Sequence, residues 1–170
     1  TMQFFPDSIR SADILFLNFS FAQLGRNAWA LFSRVFLQLP DIFFNSIPAF
    51  GPLYHMSIPF VLIGIIVFTI RLFKEKQIEK QTQMLALWGF LITGIWVGLI
   101  TFEVNINRVN IIFYPVILLC AYGISLVVNK FGKLFPVIVA AYAVSSVLFF
   151  ATYFTDYAEG IPAFICIIAM

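Results

Sequence analysis

Residues 84–102 run for 19 positions without a charged side chain. At a rise of ~1.5 Å per residue a helix of that length spans about 28 Å, close to the hydrocarbon thickness of a bilayer. Three similar stretches accompany it, at 53–73, 111–128 and 134–154. A chain that is 62% apolar and 11% charged has far fewer charges than the ~25% of a soluble domain. At this length too little interior exists to hide that much apolar surface from water. In lipid the backbone must satisfy its own hydrogen bonds, so the stretches are helices. The fold expected is all-α and integral to the membrane, with about four transmembrane helices.

The connections between the stretches set an orientation. Arg71, Lys74, Lys76 and Lys80 lie at the first connection, and Lys130 and Lys133 at the third. The intervening loop 103–110 carries Arg108 with Glu103, and the segment after 154 carries Asp156 and Glu159. Six basic residues at the first and third connections against one in the loops between them predict lysine loops in the cytoplasm of a plasma-membrane protein, with 103–110 and everything before 53 outside.

Ahead of the first span, residues 20–39 have a helical period. Gln23, Arg26, Asn27, Ala30, Ser33, Arg34 and Gln38 share an arc of about 140° at ~100° per residue, and Phe21, Leu24, Ala28, Trp29, Leu31, Phe32, Val35 and Phe36 fill the rest. This predicts an amphipathic helix lying in the outer interface and ended by Pro40. Pro48, Gly51, Pro52 and Pro59 then mark an outer loop that descends into the first span. The chain therefore divides into an extracytoplasmic lead-in with the interfacial helix (1–52), a four-helix membrane region (53–160) and an apolar tail (161–170). No signal-peptide pattern opens the chain, and the tail is about half the length a crossing needs. Both ends read as cut, as in the C-terminal portion of a longer protein.

Few side chains offer chemistry. No phosphate loop, nucleophile elbow or metal-binding His/Cys cluster occurs. The net charge of +2 gives no basis for nucleic-acid binding. Cys120 and Cys166 match no metal or redox spacing and read as small buried hydrophobes. The lone histidine, His55, sits in a Pro-flanked loop and reads first as a packing residue. Tyr114-Pro115 predicts a kink near the start of the third span. The informative cluster is Glu103-Val104-Asn105-Ile106-Asn107-Arg108-Val109-Asn110, one cation, one carboxylate and three amides at the outer mouth of two spans. Arginine keeps its charge and grips phosphate through a planar fork, which suits a lipid phosphate; the plainer reading is an arginine snorkelling to ordinary headgroups.

Three stretches carry a resemblance. Asp41-Ile42-Phe43-Phe44-Asn45-Ser46-Ile47-Pro48-Ala49-Phe50-Gly51-Pro52-Leu53-Tyr54, running into Ser57-Ile58-Pro59-Phe60, resembles the outer loop and following span of bacterial protein-mannosyltransferase-like glycosyltransferases of the GT-C superfamily. Asn107-Arg108-Val109-Asn110-Ile111-Ile112-Phe113-Tyr114-Pro115 is similar to that family's arginine followed by an apolar run into a proline. Phe149 to Tyr157 resembles the end of its last span. The resemblance implies transfer of a sugar from a polyprenyl-phosphate carrier to an extracytoplasmic acceptor. Arg108 is then the donor-phosphate contact, and Asn45, Tyr54, His55, Glu103 and Asn107 are candidates to line the cavity, with Asp41 a further carboxylate. The family's base lies in a more N-terminal loop absent from this chain, which alone is expected to be inactive. Basic groups or a divalent metal stabilise the phosphate leaving group there; no metal ligands are assigned here. The tail departs from the family, turning apolar where a soluble outer domain is expected.

The competing reading is a transporter, flippase or O-antigen-polymerase-like protein. Transporters often keep ionisable groups inside their spans, whereas 84–102, 111–128 and 134–154 hold no charged residue, which favours work at the surface. The orientation is checked by placing single cysteines at Gln77 and Asn107 and labelling intact cells with a membrane-impermeant maleimide. Position 107 is expected to react and position 77 to stay unlabelled until the cells are opened.

Overall fold

The structure is a computed structural model describing residues 20–40, 47, 50–101 and 103–157. Its helices are α1 (Phe21–Val35), α2 (Ile58–Lys74), α3 (Ile78–Ile100), α4 (Phe113–Lys130) and α5 (Phe135–Thr152), and no β-strand occurs among the described residues. Short 3-10 turns lead into α2, α4 and α5. With these turns, four segments are long and apolar enough to cross a bilayer: His55–Lys74, Ile78–Ile100, Asn110–Lys130 and Gly132–Thr155. This is the architecture of a multi-pass membrane protein.

The polar run 74–83 reads in the sequence as a solvated loop or a helix extension, and its second half is the first turn and a half of α3. Glu, Lys and Gln are good helix formers, and the reversal takes only residues 75–77, where the Glu75 carboxylate accepts from the backbone N–H groups of Lys76 and Gln77 at 3.1 and 3.0 Å. At the other end of the chain α1 stops at Val35, before Pro40. Gln38 takes a positive φ of 54°, outside the helical range. Pro115 falls in the first turn of α4, where a missing N–H costs no hydrogen bond. It begins the helix there, and no kink is needed to explain it.

The centre of the molecule is the pair α2 and α4, which run the same way because α3 returns between them. Their backbones come unusually close at two reciprocal glycines. A Cβ placed on Gly64 would collide with the Leu119 carbonyl oxygen, and one placed on Gly123 with the Phe60 carbonyl oxygen. Lipid supplies no hydrophobic drive between helices, so close backbone packing is a main source of their attraction. Around this contact Val61, Leu91, Ile112, Phe113, Val116, Leu119 and Cys120 form one buried cluster. Most of it sits in the half of the bundle nearer the 103–110 loop.

Helix α3 joins by a stripe of Leu91, Gly94 and Gly98, its buried residues. Gly94 lies against the Ile112 backbone and Gly98 against the Leu31 side chain of α1. At the opposite, lysine-bearing end Arg71 sits over the Tyr122 ring at 5.6 Å and Lys130 over the Phe131 ring at 5.4 Å, cation–π contacts that suit long basic side chains at a membrane boundary. Helix α5 is different in kind, with no buried residue at all. Phe135, Val137, Val144, Val147 and Phe150 are all exposed, as lipid-facing side chains are.

Substituting either reciprocal glycine tests this centre. Gly64→Ala and Gly123→Ala are each expected to lower unfolding stability in detergent by about 1–3 kcal/mol, the usual cost of overpacking, read by thermal unfolding. Gly89→Ala is the control, since a Cβ there meets nothing within 4 Å and alanine is the better helix former.

Candidate functional site

Two groups of polar side chains lie at the loop end of the bundle. The first is the 103–110 loop with α1 folded against it. Val104 and Val109 are buried with Leu31, so the loop is pinned by its apolar alternate residues while Glu103, Asn107 and Arg108 are exposed. A turn closes it, with the Arg108 N–H donating to the Asn105 carbonyl at 3.1 Å and to its side-chain oxygen at 2.9 Å. The Arg108 guanidinium donates to the Glu103 carbonyl at 3.2 Å. Arg108 therefore fastens the loop it belongs to while facing outward.

Asn27 holds this loop to α1. Its amide donates to the Leu99 carbonyl at 2.9 Å and the Thr101 carbonyl at 2.6 Å, acceptors that the end of α3 leaves without helical partners. Its oxygen accepts from Gln23 at 3.0 Å, and Gln23 in turn accepts from Arg26. Part of the polar stripe expected to face solvent is thus turned inward, with Asn27 2% exposed and Trp29 62% exposed. The helix is amphipathic, but it uses both of its faces. Gln38 makes a second tie: buried, it donates to the Val35 carbonyl at the end of α1 and accepts from the Leu53 N–H at 2.7 Å. Gly51 is required beside it, because a Cβ there would overlap the Gln38 side chain.

The second group surrounds a cavity of about 480 Å³ between α4, α5 and the lead-in to α2. Tyr54, Ser57, Cys120 and Tyr142 form its polar wall, and Ile117, Ala121, Ile124 and Phe149 are among its apolar residues. Tyr142 and Ser57 share a hydrogen bond of 2.7 Å, and Tyr54 and Ser146 one of 3.1 Å. Edge-on rings continue the contact, Tyr54 with Tyr142 at 5.9 Å and Phe50 with Phe149 at 5.5 Å. These contacts are what attach α5 to the rest. A smaller neighbouring cavity of about 180 Å³ is lined by Tyr54 and His55 with Met56 and Ser145.

The sequence candidates therefore separate. Tyr54 and His55 line cavities beside α5, whereas Glu103, Asn107 and Arg108 share the other loop and line neither. Asn45 and Asp41 lie outside the described residues, as does Cys166. Among the described residues no three His, Cys, Asp or Glu side chains could hold a metal ion. Asn27, Gln38, Ser57, Tyr142 and Ser146 were not singled out in the sequence. The available signals were an amide within an otherwise ordinary helical stripe and the Tyr142, Ser145, Ser146 group inside the last span.

The chain matches no protein-family model, no curated protein and no solved structure. Asn27→Ala strips two half-buried carbonyls of their donor and is expected to cost about 1–3 kcal/mol. Amide exchange in detergent is the check: the Arg108 and Val109 N–H groups, both bonded to Asn105, should exchange faster in the variant.

Proposed function

We propose that this chain is the membrane portion of a glycosyltransferase that takes a sugar from a polyprenyl-phosphate carrier at the outer face of the plasma membrane. The observation that carries the reading is the exposed Arg108 on a pinned loop between two uncharged runs, 84–102 and 111–128. A cation held at the membrane surface is the group needed where a phosphate leaving group gathers negative charge, and a loop fixed beforehand supplies it without reorganisation. The loop residues quoted for the transferase resemblance support the same assignment. In this reading Arg108 contacts the donor phosphate, Glu103 and Asn107 orient the sugar or acceptor from the same loop, and Tyr54 and His55 border the site from the α2 lead-in. Helix α1 lies along the outer interface, with Trp29 and Phe32 toward lipid. The base that activates the acceptor is supplied by another part of the whole protein.

Arg108→Ala in the full-length protein is expected to weaken binding of a polyprenyl-phosphate sugar about 10- to 100-fold, the range for a lost charge-assisted hydrogen bond of ~1.5–3 kcal/mol. Arg108→Lys should recover only part, since lysine lacks the fork. Binding is measured in detergent beside thermal unfolding, because Arg108 also braces its loop. Normal donor turnover by a folded Arg108→Ala protein rules the assignment out, and leaves a structural or transport module as the better reading.

A further inference from the structure

The cavity beside α5 has an unusual polar wall, visible once the hydrogens are counted. A hydroxyl or thiol carries one hydrogen. Ser146 donates its hydrogen to the Tyr142 backbone carbonyl at 2.9 Å, so in the Tyr54–Ser146 bond Tyr54 is the donor. Cys120 donates to the Ser57 backbone carbonyl at 3.7 Å. Ser57 and Tyr142 share a 2.7 Å bond that either hydroxyl can donate, and Tyr142 also lies 3.6 Å from the Cys120 sulfur. The Tyr54 hydrogen is spent within the protein, and its oxygen lone pairs are left to meet a guest.

The remaining boundary of the cavity narrows the guest further. Among the described residues no charged side chain lines it, so a phosphate or ammonium head would be buried there without a counter-charge from them, at high cost inside a membrane. Its α4 wall is the apolar stripe Ile117, Ala121 and Ile124, yet Ile117 is 51% exposed. The cavity therefore opens sideways between α4 and α5, toward the hydrocarbon.

We infer that this cavity binds a neutral, hydroxyl-bearing lipid, entered laterally from the bilayer, with its hydroxyl donating to Tyr54 and its chains leaving between α4 and α5. A volume of about 480 Å³ lies within the range of small-molecule sites. A head that only accepts, such as an ester or a capped alcohol, finds no donor in Tyr54. The inference stands apart from the transferase reading, since the cavity touches neither Arg108 nor its loop.

The test uses the whole chain in phosphatidylcholine vesicles with three photoactivatable probes of identical chains: a diacylglycerol, its acetate-capped form and the phosphatidic acid. Labelled peptides are located by mass spectrometry. The diacylglycerol is expected to label α4 around residues 117–124 and the segment 50–57 at least tenfold more than either other probe. Ala121→Trp, which fills the cavity from an exposed position, should remove that labelling. Tyr54→Phe, nearly the same shape, should reduce the preference for the free hydroxyl at least threefold. Equal labelling by the three probes of the unmodified chain overturns the inference, as does labelling that survives Ala121→Trp in a protein still helical by circular dichroism.

Discussion

Two helices lying almost backbone to backbone hold this molecule's centre. Gly64 faces the Leu119 carbonyl and Gly123 faces the Phe60 carbonyl, and no larger residue fits at either point. Attraction between helices in lipid comes from close packing rather than from escape from water. The approach of α2 and α4 therefore sets where everything else can sit. Helix α3 follows the same device at Gly94 and Gly98, which let the start of α4 and the Leu31 side chain of α1 come close. The 103–110 loop is then carried on a frame whose spacing is fixed by residues without side chains.

On that frame polar groups serve two purposes. Asn27 and Gln38 complete hydrogen bonds that the ends of α3 and α1 leave open, which ties the amphipathic helix to the spans at two separate places. Ser57, Tyr142, Tyr54 and Ser146 join a helix that has no buried residue to the remainder. The first pair supplies donors to carbonyl acceptors that would otherwise lack a partner. The second group makes neutral bonds between side chains, which in membranes average only about 0.6 kcal/mol each.

The legible parts of the fold were those governed by hydropathy. Uncharged runs near the length of a bilayer located all four spans, because lipid imposes that length on any helix that crosses it. The period of residues 20–39 located α1, since a 3.6-residue repeat needs no tertiary information to be seen. Hydropathy could not reveal how α1 turns: a projection puts Asn27 with Arg26 on a wet face, but the carbonyls of Leu99 and Thr101, more than seventy residues away, draw it inward. The same limit hid the cavity. Tyr54, Ser57, Cys120 and Tyr142 come from three separate segments, and no spacing along the chain relates them. Arg108 stood out because it is an isolated cation between two apolar runs; its bond to the Glu103 carbonyl needed coordinates.

The attachment of α5 has a mechanical meaning. A span fastened by a few hydroxyl contacts and two aromatic edges, with its remaining surface in lipid, is anchored more softly than the three helices packed through glycine. Bilayer thickness and lateral pressure act on all four spans alike. The seam between α4 and α5 is where such forces meet the least resistance.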